Sequence, residues 1–201
     1  MTIEIGQVEA IFRYPVKSMA GEQVDAARLG WHGIDGDRRL ALRRTQDQGG
    51  FPFLTASKLP DLLLFTPHRH GDGTEGDLPT HVLTPEGEEM AIFGEELAAE
   101  IERRHGSPVQ IMHLRSGIFD QAPISIITPD TVREIARGAD RLLDMRRFRP
   151  NIVIRLLRSG LFEEDKWVGG FLWFGAPGDG ACVSVTMRDI RCSMVNLDPE
   201  S

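Results

Sequence analysis

The sequence predicts a mainly β protein with a few helices, and three observations carry that expectation. Apolar and β-branched residues recur in short alternating runs, as strands with one buried face require. The 21 Gly and 12 Pro among 201 residues interrupt those runs with turns. Only residues 94–105 and 131–143 hold the spacing of an amphipathic helix.

Taken in order, Ile3–Ile11 reads as a strand that Pro15 and Gly21 terminate. Val24–Leu29 reads as a short strand, Gly30–Asp37 as a glycine-punctuated loop and Arg39–Arg43 as another strand. Phe51–Thr55 fits a short strand, Ala56–Leu62 a helical turn and Leu63–Thr66 extended chain. Residues 68–79, HRHGDGTEGDLP, are the most loop-like stretch. A strand entering a turn is expected over Val82–Gly87, then the helix Gly94–His105 with Leu97 and Ile101 on one face. Val109–Leu114 and Ile124–Ile127 read as strands around a loop. Thr128–Pro129–Asp130 can start a helix from Thr131 to about Leu143, because short polar side chains accept its orphan amide hydrogens. Asn151–Arg155, Phe171–Phe174 and Ala181–Thr186 are the remaining strands.

The 23 Lys and Arg against 30 Asp and Glu give a formal charge of −7. Such a surface is a poor polyanion trap, so no nucleic-acid partner is expected. No apolar stretch approaches the ~18–20 residues that cross a bilayer, and the start lacks a basic segment followed by a long apolar run. A cytoplasmic protein without a membrane partner is expected. Two Cys, Cys182 and Cys192, form no disulfide framework, so each thiol serves packing or chemistry.

Cys192 follows Arg188–Asp189–Ile190–Arg191, where two guanidinium groups favour a thiolate and suit a nucleophile or soft metal ligand. A small buried hydrophobe is the plainer alternative for a lone Cys. Cys182 precedes an alternating run with no charge nearer than Asp179, and packing is the expectation there. A structural zinc site lacks paired Cys and His, since neither Cys has a His within four residues and His68 and His70 stand in a polar loop. No GxSxG, HExxH or Walker loop occurs. Lys17 and Ser18 follow Pro15 in a turn that could present an ammonium, a hydroxyl and backbone amides to a phosphate. Residues 133–158 carry eight Arg against Glu134, Asp140 and Asp144, a local charge of +5 in an acidic chain.

Taken together and in order, Tyr14–Pro15–Val16–Lys17–Ser18, Gly36–Asp37–Arg38, Phe53–Leu54–Thr55–Ala56, Phe148–Arg149–Pro150–Asn151, the block 162–167 (FEEDKW), Arg191–Cys192 and Asn196–Leu197–Asp198–Pro199 resemble the MOSC family. That family comprises the molybdenum-cofactor sulfurase C-terminal domain and its relatives. The match is similar to the branch with an N-terminal β-barrel-like domain, which includes the mitochondrial amidoxime-reducing component and bacterial counterparts.

The resemblance implies an N-terminal β-barrel-like domain over residues 1–115 packed on a MOSC β-barrel over 116–201, with the molybdenum cofactor (molybdopterin) between them. Cys192 matches the cysteine that coordinates molybdenum, and as catalytic residue it would anchor and tune the metal. Lys17, Ser18, Arg38, Arg149, Asn151 and Arg191 fall on positions expected to hold the pterin and its phosphate. Thr128 and Thr131 resemble hydroxyl-bearing positions of that pocket, with helix amides adding anion affinity. Asp165 and Trp167 lie in a block expected to serve structure, although Asp165 could reach the cofactor edge. The implied activity is reduction of N-hydroxylated or N-oxygenated small molecules. Without a Cys cluster or GxGxxG, electrons come from a separate ferredoxin-, flavin- or cytochrome-type protein. Two further readings are a carrier of the cofactor or of persulfide sulfur on Cys192, and a barrel without cofactor that serves interaction. The chain stops at Asp198–Pro199–Glu200–Ser201, short of the family's closing segment, which fits a natural short form, a truncated product or a sheet edge covered by a second copy.

Overall fold

Alternation in GQVEAIFR makes Gly6–Arg13 the longest strand, β1, of the computed structural model, which describes residues 2–70, 78–176, 178 and 180–200. Strand β1 pairs antiparallel with β2 (Glu22–Val24) on one side and β11 (Ile152–Leu156) on the other, with a register shift between Val8 and Ala10. Strand β10 (Ile126–Ile127) adds in parallel to β11 and completes a four-stranded sheet. The run Ile152–Val153–Ile154 is continuously apolar because both faces of β11 are covered. Val153 packs with Phe12, Tyr14, Ile127, Val132 and Phe148, while Ile152 and Ile154 pack with Leu172.

The remaining strands form smaller sheets. Leu29–Gly30 (β3) and Gly33–Ile34 (β4) make a two-residue hairpin, and Leu40–Arg44 (β5) pairs antiparallel with Val109–His113 (β9). Thr66–His68 (β6), His81–Leu83 (β7) and Glu89–Ala91 (β8) form an antiparallel sheet, and Phe171–Phe174 (β12) pairs with Ala181–Ser184 (β13). Helix α1 spans Glu95–His105 and buries Leu97 and Ile101, one turn apart, then stops where Gly106 takes φ 79°. Around it lies the largest apolar cluster, which includes Leu40, Leu42, Leu54, Leu62, Phe65 and Val82.

The mainly β architecture with two α-helices agrees with the sequence reading. The strands nevertheless fall into five separate sheets, and among the described residues they close no hydrogen-bonded ring. The expected strand over 24–29 breaks into the ends of β2 and β3 because residues 25–28 are all exposed and have nothing to bury. Phe51–Thr55 makes a single bridge at Phe53, beside Pro52, which has no amide hydrogen for a ladder. Helix α2 (Pro129–Gly138) ends well before Leu143, since Leu142 is 98% exposed and further turns would bury little. Strand β8 was not expected. Glu89–Met90–Ala91 has weak strand propensity, and the turn at Gly87 (φ 88°) folds it onto β7. The loop expected at 68–79 lies at 71–77 outside the described residues. No helix among the described residues is long and apolar enough to cross a membrane.

Candidate functional site

Irregular segments between these sheets enclose a cleft of about 1080 Å³. Its wall includes Lys17, Ser18, Arg38, Thr131, Arg149, Asn151, Arg191 and Cys192, so residues spread over most of the sequence meet at one place. Thr128 is buried and does not line it. Six cations against four carboxylates stand on the wall, the reverse of the balance over the whole chain. Gly33 (φ 92°) closes the β3–β4 hairpin against Pro123, whose carbonyl oxygen would lie 2.9 Å from any Cβ there. Trp31, fully exposed, forms the rim.

The turn after β1 is held by backbone bonds, Lys17 N to Leu40 O at 2.8 Å and Arg38 N to Tyr14 O at 2.7 Å. Asp37, wholly buried, fastens both segments. Its Oδ1 accepts from Tyr14 N at 2.7 Å and its Oδ2 from Arg38 Nη1. Arg38 also donates to Asn151 Oδ1 at 3.2 Å and the Arg149 carbonyl at 3.3 Å. The Asn151 amide further accepts from Ser125 N at 3.1 Å and donates to Phe12 O at 3.2 Å, which makes it a bolt between β1 and the approach to β10.

Strain marks the same place. Five described non-glycine residues have positive φ, and four of them, Ser18 (68°), Arg38 (49°), Arg149 (48°) and Phe162 (52°), are on the cleft wall. Each such conformation costs on the order of 1–3 kcal/mol and persists where surrounding contacts over-determine it.

The cations differ in how they are satisfied. Lys17 Nζ lies 2.8 Å from Asp120 Oδ1 and 5.4 Å from the centroid of the Phe51 ring. Burial pulls its pKa below the ordinary lysine value, and Asp120 opposes that shift. Arg149 donates through Nη1 to Met19 O at 2.8 Å and lies 4.2 Å from the centroid of the Tyr14 ring. Its Nη2 is buried with no hydrogen-bond partner, and no carboxylate pairs with it among the described residues. Burial pushes its pKa down to about 10, so it remains protonated at neutral pH. The Tyr14 hydroxyl, also without a partner, is pushed up to about 12 by burial. Arg191 donates to Phe148 O at 2.9 Å and pairs with Asp189 at 2.9 Å.

Cys192 is exposed on the cleft wall and opens the helical turn Ser193–Asn196. That turn is pinned on both sides, by Met194 and Leu197 against the large cluster and by Val195 against the Val153 cluster. Arg147 secures the following residues by donating to Leu197 O at 2.7 Å and pairing with Asp198. Cys182 is exposed as well and lines the same cleft from β13, so the packing role expected for it does not hold. The alternation there placed Cys182 on the outward face, a pattern visible once β12 and β13 are paired.

At the start of α2, Thr128 Oγ1 caps Thr131 N at 3.3 Å. Glu164 takes the anion position there, accepting from Thr128 N at 2.6 Å and Thr131 Oγ1 at 2.7 Å. Sequence reasoning missed Glu164, Asp120 and the buried Asp37 as fasteners of the site. Only the proximity of acidic residues to motif cations hinted at them. Asp165 pairs with Arg188 at 3.0 Å, and Trp167 packs beside Leu172.

Two family models match the chain, the MOSC N-terminal beta barrel domain over residues 5–118 and the MOSC domain over residues 93–201. A comparison with curated proteins returns no match.

Proposed function

The chain belongs to the MOSC family, in the form with an N-terminal barrel domain, and we propose that its cleft binds molybdenum cofactor and reduces N-hydroxylated or N-oxygenated small molecules. MOSC domains are associated with that cofactor. One observation carries the reading: the exposed Cys192 and Arg149, whose buried Nη2 has no partner, line the same cation-rich cleft. The donor set fits the group. A thiol is a soft ligand suited to a metal already bound by sulfur, and a terminal phosphate supplies the acceptor that Arg149 lacks.

When bound, the cofactor supplies two-electron oxygen-atom transfer. In the net reaction the substrate N–O bond breaks, two electrons and two protons are taken up, and water leaves. Cys192 would hold the metal from the wall of the cleft. Arg149 would offer its guanidinium to the phosphate and Lys17 an ammonium that Asp120 supports, while Arg38, held by Asp37 and Asn151, is kept in a fixed orientation. Ser18 and Arg191 would border the pterin, and Thr131, whose hydroxyl Glu164 holds, lines the same cleft. Electrons come from a separate ferredoxin-, flavin- or cytochrome-type protein.

Molybdenum per chain, measured in a host that makes the cofactor, tests this. Wild type should retain the metal, Cys192→Ser should lose it, and Arg149→Ala should weaken cofactor retention about 10–100-fold, the worth of a charge-assisted hydrogen bond. A loaded sample that never reduces an amidoxime with a chemical reductant sinks the enzymatic reading, and absence of molybdenum from wild type sinks the cofactor. The exposure of Cys192 favours one second reading, a carrier of cofactor or persulfide sulfur. Cyanide treatment that releases sulfur from wild type and not from Cys192→Ser would support it.

A further inference from the structure

Away from the cleft, the sheet β6–β7–β8 turns an unusual set of side chains to solvent. Strand alternation buries Pro67 and Val82 and sends His68, His81 and Glu89 to the opposite face, where His70 joins them just past β6. Register explains the meeting. His68 pairs with His81 across β6 and β7, and Glu89 lies diagonally across β7 on the same face.

Ligand atoms of His68, His70 and Glu89 all lie within 4.8 Å of one another. Nε2 of His68 is 2.5 Å and Nδ1 of His70 is 3.4 Å from a single oxygen, Oε1 of Glu89. The other nitrogen of His68, Nδ1, faces the Thr66 carbonyl oxygen at 3.4 Å. Both nitrogens of this ring therefore face oxygen acceptors. A proton on Nδ1 suits the carbonyl, as it does for metal-bound imidazoles in general, and leaves the Nε2 lone pair aimed at the carboxylate. A cation between them satisfies both.

We propose that His68, His70 and Glu89 form a divalent-metal site for Zn²⁺, independent of the molybdenum reading. Two imidazoles and one carboxylate are a borderline donor set that suits this ion. At metal–ligand distances of about 2.0–2.2 Å, tetrahedral donors stand roughly 3.3–3.5 Å apart. The His70–Glu89 separation already matches, and His68 must move from Glu89 by less than about 1 Å. A third imidazole, His81, has its ring 5.2 Å from that of His70 and 6.2 Å from that of His68. Its Nδ1 is occupied by Thr80 Oγ1 at 2.9 Å. Among the described residues no fourth side chain joins these three ligand atoms. Bound there, the metal clips β6 to β8 across β7, the two outer strands of a sheet whose strands are three residues long.

The sequence argued against zinc because it offered no four Cys and His at short spacing. Glu89 stands 21 residues from His68 and enters only through the unexpected strand β8.

The test uses the full chain without an affinity tag, stripped with a chelator and titrated calorimetrically with zinc chloride. One Zn²⁺ per chain is expected. His68→Ala, His70→Ala and Glu89→Gln should each weaken binding at least about tenfold, since loss of even an outer-shell partner does that much, while Cys192→Ser should bind like wild type. Zinc should also raise the melting temperature of wild type and leave that of Glu89→Gln, a near-isosteric change, unmoved. Absence of zinc binding overturns the proposal. Binding that survives all three substitutions, or that disappears with Cys192→Ser, overturns it as well. Molybdenum content of His68→Ala, His70→Ala and Glu89→Gln stays at the wild-type level, so the outcome is separate from that of the cleft.

Discussion

The two regions of this molecule solve opposite problems with the same chain. Around α1 the large cluster buries Leu40, Leu42, Leu54, Leu62 and Ile101 at 1% exposure or less, and polar groups stay at its margin. The cleft and the residues behind it instead bury Lys17, Ser18, Asp37 and Asn151, carry four strained residues and leave Arg149 Nη2 and Tyr14 Oη without partners. The first region is assembled by non-directional burial and tolerates approximate patterning. The second depends on individual donors meeting individual acceptors, where one missing partner is expensive. Stability resides in the first, and the second draws on it to hold cations inside protein.

Asp37 is the sharpest place to break that contrast. Asp37→Ala removes the carboxylate that serves both Tyr14 N and Arg38, and leaves a guanidinium of 15% side-chain exposure without its counter-charge. Losing one partner of such a pair costs about 3–5 kcal/mol, and molybdenum retention should fall with it because Arg38 loses its anchor. Leu42→Ala in the apolar region should cost about 2–5 kcal/mol, while folded protein keeps its metal. Urea unfolding followed by metal analysis of the folded fraction reads both. Equal loss of molybdenum from the two variants would erase the distinction.

The same contrast governs what could be read from sequence. Periodicity exposes regions built by burial, so α1, β9 and β12 are legible from Leu97 and Ile101, or from alternation, within a residue or two, while β1 starts three residues later than expected. The cleft has no period. Lys17, Arg38, Arg149 and Cys192 stand out through motif resemblance, and their proximity comes only from the folded chain. What orders them was invisible, because Asp37 is an ordinary Asp–Arg neighbour until its 0% exposure is known. Glu164 lies in a block that the sequence marks as structural, and it fills a helix start where the family resemblance places cofactor contacts. Cys182 and Cys192 differed by their charged neighbours in sequence, yet both reach the cleft, since exposure depends on which strand face the sheet leaves uncovered.

The start of α2 lies between the two regimes. Thr128→Ala removes the hydroxyl that caps Thr131 N and should destabilise the protein by about 0.5–2 kcal/mol. Glu164 already neutralises this helix end, so molybdenum per chain should stay at the wild-type level. A decrease as large as that of Arg149→Ala would move the helix start into the binding machinery and redraw the cleft boundary.

Electrostatics at the edge of the apolar region should be weaker and fully reversible with pH. Glu100 on α1 accepts from Arg103 and Arg104, and Arg104 continues to Asp61 and to the Phe65 ring, 5.1 Å from its centroid. Hydrogen bonds from Arg103, then Arg104, hold the Glu100 carboxyl down to about 2 against an ordinary value of 4.5. A carboxyl held low in the folded state contributes stability that is complete above about pH 4.5 and is lost as pH falls toward 2. Because Arg103 is largely exposed, solvent screening limits the contribution to about 1 kcal/mol or less. Glu100→Gln should therefore lower the urea midpoint at pH 6, and its gap from wild type should narrow steadily between pH 4.5 and 3. A gap that stays constant with pH would assign the role of Glu100 to packing of its aliphatic stem, and the margin of the apolar region would then follow the same rule as its centre.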